Sequence, residues 1–83
     1  MQNVTAKPEL VGFLQLQVGS LAVQVPIKNA GPESEGAPLA QLETEGSKVA
    51  ILVHGEPSST AVERAVADTA KEAVKYLSKK LLN

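Results

Sequence analysis

Gly19-Ser20 and Gly46-Ser47 each sit midway between two arms that alternate in register, and this repeated turn limits the fold more than any other feature of the chain. A two-residue type II′ turn needs φ > 0 at its first central residue, which glycine adopts without strain, and a small polar residue suits the second. Each Gly-Ser pair therefore marks the tip of a β-hairpin.

Counting outward from Gly19-Ser20, Val18 faces Leu21, Leu16 faces Val23 and Leu14 faces Val25, so one face is wholly apolar. Gln17 with Ala22 and Gln15 with Gln24 fall on the other face. A slip of one residue would bury glutamines, which fixes the register. Pro26 lands opposite Phe13 at a non-hydrogen-bonded pair, with its missing N–H directed away from the first strand. A neighbouring strand on that outer side is expected to pair before Pro26 or not at all.

From the second tip, Glu45 faces Lys48, Thr44 faces Val49, Leu42 faces Ile51 and Ala40 faces Val53. The run from Lys48 to Val53 is nearly continuous in apolar character and suits a central strand covered on both sides, whereas Leu39 to Glu43 reads as short and peripheral. Between the hairpins, residues 29–38 (NAGPESEGAP) have no periodicity that could bury anything. They read as a mobile, solvated connector rather than a recognition arm.

From Ser58 the period changes from two to 3.6, and Val62, Val66, Thr69, Ala70, Ala73, Val74, Leu77 and Leu81 form one stripe of an amphipathic helix. Thr60-Ala61-Val62-Glu63 has capping-box spacing, with Pro57 allowing an earlier start. The expected fold is α+β, a single small two-layer domain over residues 1–83. Strands at about 10–18, 21–28, 39–45 and 48–54 would form an antiparallel sheet of two hairpins, covered by one C-terminal helix at about 58–82.

An 83-residue chain allows one domain, and at 2% aromatic residues its core has to come from Val, Leu, Ile and Ala. Phe13 and Tyr76 are the only rings. So light a core makes pairing with a second copy attractive. The formal net charge of −1 supplies no global field for nucleic acid or an anionic membrane, and without cysteine there is neither a disulfide nor thiolate chemistry. The first residues, MQNVTAKPEL, lack a signal-peptide pattern, and no apolar run approaches the roughly 18 residues that cross a bilayer, so a cytoplasmic protein is the expectation. Asn3-Val4-Thr5 matches the glycosylation pattern by coincidence on that reading.

Three places could carry function. The first is the strand-to-helix junction, where His54, Ser58, Ser59 and Thr60 form a candidate anion site at a helix N-terminus. It lacks the glycines and lysine of a phosphate loop, and Ser58, His54 and Glu56 are too close in sequence to make a catalytic triad, so capping is the favoured role. One histidine and scattered carboxylates fit no metal site, and no cofactor or enzymatic activity is expected. The second is the row of candidate phosphate contacts Lys71, Lys75, Lys79 and Lys80. Small domains of similar topology include single-strand nucleic-acid binders, but two rings and a net charge of −1 offer little for base stacking or a basic groove, which argues against nucleic acid. The third is the sheet face away from the helix, where Phe13, Ala22, Pro26, Leu39 and Leu52 are the expected interaction surface, with Ala50 beside them. That face, or the edge of the first strand, is expected to bind a second copy of the chain or another protein.

Overall fold

The computed structural model describes residues 9–31, 36, 38–56 and 58–82. Strands β1 (Glu9–Val18), β2 (Leu21–Asn29), β3 (Ala40–Glu45) and β4 (Lys48–Val53) precede a single helix, α1 (Thr60–Leu81). Both hairpins form in the register that the turns dictate: Val18 pairs with Leu21 through Phe13 with Pro26, and Glu45 pairs with Lys48 through Ala40 with Val53. Gly19 and Gly46 sit at φ 64 and 62, and no non-glycine among the described residues has positive φ, so each serine has the negative φ that a type II′ turn requires.

The two hairpins join in a way that their own alternation does not reveal. The strand order is β1-β2-β4-β3, and the seam is parallel, with Ile27, Lys28 and Asn29 of β2 beside Ile51, Leu52 and Val53 of β4. The sheet is therefore mixed rather than antiparallel throughout. The expectation that a neighbour would pair before Pro26 is also overturned, because pairing starts directly after it. Pro26 has no N–H to offer toward β4, so it ends the seam at its lower limit instead of its upper one. The ladder then runs on into the connector: Ala30 N–H donates to Val53 O at 2.8 Å and Gly55 N–H to Gly31 O at 3.0 Å. Asn29 Oδ1 accepts from Gly31 N–H at 2.8 Å, and its Nδ2 donates to Gly55 O at 3.4 Å. The connector is thus pinned through Gly31. Of the expected mobile segment, residues 32–35 and 37 lie outside the described residues.

β4 is central, with Val49, Ile51 and Val53 buried on the helix side, and β1 and β3 are the two edges. Helix α1 lies against β1, β3 and β4 through Val62, Thr69, Ala73 and Leu77, all buried. Ala73 and Leu77 reach 0% exposure, and the small side chain of Ala73 lets the helix backbone approach the sheet. Thr69, the one buried polar residue of the stripe, donates its hydroxyl to Ala65 O at 2.8 Å and so carries no unpaired group into the core. Leu81, expected on the same stripe, is 41% exposed.

The helix begins one residue earlier in its capping than the Thr60 reading. Ser59, at φ −69 and ψ 141, is the N-cap and its hydroxyl accepts from Val62 N–H at 3.3 Å. This puts Glu63 one place past the position from which a capping-box carboxylate reaches back. The top of the helix is tied to both hairpin tips: the Tyr76 hydroxyl donates to Gly46 O at 2.6 Å, and Leu82 lies so near Gly19 that an added Cβ would stand 2.8 Å from its Cδ1.

Candidate interaction surface

The sheet face away from the helix carries the side chains that alternation turns outward from β1 and β2. Phe13 is 58% exposed, and Gln15, Gln17, Ala22 and Gln24 are also exposed. Pro26 is half-buried beside Phe13 in the register. The two remaining members of the expected surface are placed differently. Leu39 packs against the helix-side core, because β3 begins only at Ala40 and the strand alternation does not extend to a residue in the bend before it. Its carbonyl accepts His54 N–H at 2.8 Å, which holds that bend against the end of β4. Leu52 does lie on the open face, but it is 8% exposed, in a central strand with Lys28 and Gln41 as its register partners on either side. What remains accessible is concentrated on the β1 side.

An irregularity near the start of β1 adds to it. Gly12 pairs with Ile27 and Leu10 with Lys28, so Val11 is an extra, unpaired residue in a β-bulge. Val11 lines an apolar hollow of about 300 Å³ with Ile27, Val53, Val62, Glu63 and Val66, on the helix side of the sheet. Gly12 has no side chain to occupy that end of the core, and the bulge turns Val11 toward the space instead. Leu10, 55% exposed, follows at the far side of the bulge. A glycine inside an otherwise alternating strand is the sequence signal that announces such a bulge.

Between Gly12 and Val18, the outer edge of β1 is regular. The residues flanking a two-residue hairpin turn form a hydrogen-bonded pair, so Val18, Leu16 and Leu14 direct their backbone groups to β2. Phe13, Gln15 and Gln17 direct theirs outward, where no strand lies among the described residues. From Leu10 to Val18 the strand has no charged residue.

A second hollow, about 600 Å³, opens where β2 and β4 diverge before the seam, lined by Pro26, Lys28, Glu43, Thr44, Glu45, Lys48, Val49 and Ala50. Its charges are of both signs, and nothing in them converges on one point. No family model, no curated protein and no solved structure matches this chain. Geometry alone ranks its surfaces.

At the strand-to-helix junction, Ser59 is committed to capping, while Ser58 and Thr60 are exposed. His54 is half-buried and its Nδ1 has no hydrogen-bond partner among the described residues. Among the described residues no hydrogen bond joins His54 to Ser58, Ser59 or Thr60. On the helix, Lys71, Lys75 and Lys79 form an exposed row at four-residue spacing, with Lys80 beside it. The Lys80 ammonium sits 5.6 Å from the Tyr76 ring centroid, so the one ring near the lysines is already covered by a cation. Among the described residues no three His, Cys, Asp or Glu side chains gather as a metal would need, and no helix is long and apolar enough to cross a membrane.

Proposed function

We propose that this chain is a non-enzymatic interaction module that self-associates through its sheet. The observation that supports the reading is the β1 side of the molecule, where a half-exposed phenylalanine, an exposed leucine and a run of uncharged residues lie along an unpaired strand edge. Natural sheets blunt such an edge with charges, proline or a cover when it is not used. From Leu10 to Val18 β1 has only its bulge. A core this poor in rings gains from burying Phe13 against a partner.

Sedimentation velocity across a micromolar concentration series tests the proposal. The chain is expected to shift toward a dimer as concentration rises, and Phe13→Glu, which removes the exposed ring, to weaken that shift while the chain stays folded. A wild-type chain that stays monomeric throughout overturns the reading.

A further inference from the structure

We propose that the partner is a second copy of this chain, joined edge to edge by antiparallel pairing of β1 with its own equivalent about a two-fold axis through Gln15. The inference rests on the self-association proposed above and specifies its geometry. Three observations select this register.

Only Phe13, Gln15 and Gln17 present outward backbone groups on regular strand, since the bulge at Leu10–Gly12 ends regularity on one side and the Gly19 turn ends it on the other. An antiparallel partner has to meet outward groups with outward groups. A two-fold centred on Gln15 pairs Phe13 with the partner's Gln17, Gln15 with the partner's Gln15, and Gln17 with the partner's Phe13, which uses all three residues. Centring on Leu14 would run Gln17 into the partner's bulge, and centring on Leu16 would run Phe13 into its turn.

The side chains are compatible in the same register. With the axis perpendicular to the sheet, both helices lie on one side, and half-buried Leu14 comes beside the partner's Leu16. Gly12, with no side chain, faces the partner's Val18. On the other face Phe13 lies over the partner's Gln17, which covers part of a ring that is 58% exposed in the single chain.

Charge permits it as well. A residue near a two-fold meets its own copy, so any charge there would repel itself, and Leu10 to Val18 contains none. The opposite edge, β3, carries Glu43 and Glu45 and would repel a second copy. The result is a continuous sheet in the order β3-β4-β2-β1 followed by the same strands reversed.

Cysteine substitution reads the axis directly, because the natural chain has no cysteine. Directly opposed hydrogen-bonded residues stand about 5.5 Å apart between Cα atoms, within disulfide range. With an added disulfide oxidant such as oxidised glutathione, which takes up the two electrons and two protons, Gln15→Cys is expected to give a covalent dimer, while Gln24→Cys, its neighbour on the same face in β2, stays unlinked. Gln15→Pro is the second variant: its lost N–H points away from β2, so the hairpin is retained as it is at Pro26. It removes both bonds of the central pair and is expected to raise the dimer dissociation constant about tenfold to a hundredfold.

A wild-type dimer in which Gln24→Cys links as fast as Gln15→Cys overturns the edge register and leaves sheet-mediated association standing. A wild-type monomer overturns both. If Gln15→Pro fails to fold by circular dichroism, the cysteine pair decides alone.

Discussion

β1 and β3 are both edge strands of one sheet, built from hairpins with the same Gly-Ser turn, yet they are finished in opposite ways. β3 is short, half its residues are Thr or Glu, and its outward-facing side chains Glu43 and Glu45 keep other strands away. β1 is longer, uncharged from Leu10 to Val18, and contributes buried Leu16 and Val18 to the core. Identical turns therefore place two edges without deciding their use. Use is decided by what each edge exposes, and in this chain only β1 exposes groups that a strand could pair with at no electrostatic cost.

The contrast should be largest in stability. Leu16→Ala removes a side chain that is 8% exposed and should cost about 2–4 kcal/mol in urea unfolding, whereas half-buried Leu42→Ala on β3 should cost less than half of that. Equal losses would mean that β3 shares the core more evenly than its burial implies.

Next come the tips. Gly19→Ala and Gly46→Ala each force a side chain into positive φ, at about 1–2 kcal/mol. Gly19→Ala should be slightly the more costly, because its Cβ displaces the end of the exposed Leu82 side chain whereas the space at Gly46 is open. Adding Leu82→Ala should remove that excess, and thermal denaturation of the four chains reads it as a cycle.

The smallest effect is expected at the bond that ties the β3 tip to the helix. Tyr76→Phe deletes an exposed hydroxyl bonded to Gly46 O, and should lower stability by about 0.5–1.5 kcal/mol while leaving the proposed association at β1 unchanged. A dimer lost with this hydroxyl would tie the two edges together in a way that the structure does not.

The sequence was most legible where a period and a turn agreed. Val18 facing Leu21 and Glu45 facing Lys48 follow from the Gly-Ser tips alone, and the helix stripe through Val62, Ala73 and Leu77 follows from its spacing. The parallel seam was not legible, because Ile27–Asn29 and Ile51–Val53 join through backbone groups and leave no trace in side-chain alternation. Pro26 marked the end of pairing correctly and its direction wrongly, since a proline states that a donor is missing but not on which side of it the neighbour lies. Leu39 was misplaced because parity was carried one residue beyond the strand, and the hollow at Val11 was missed although Gly12 signalled the bulge. Of the candidate surface, Phe13 and the β1 edge could be read from the sequence, whereas the burial of Leu52 depended on the strand order.

Residue-resolved hydrogen exchange at the highest soluble concentration compares the two edges most directly. Phe13, Gln15 and Gln17 on β1 and Leu42 and Thr44 on β3 have amides that no strand among the described residues engages. The proposed β1 pairing predicts slow exchange for the β1 set, lost on dilution, beside fast exchange for the β3 set. Equally fast exchange at both edges would contradict it.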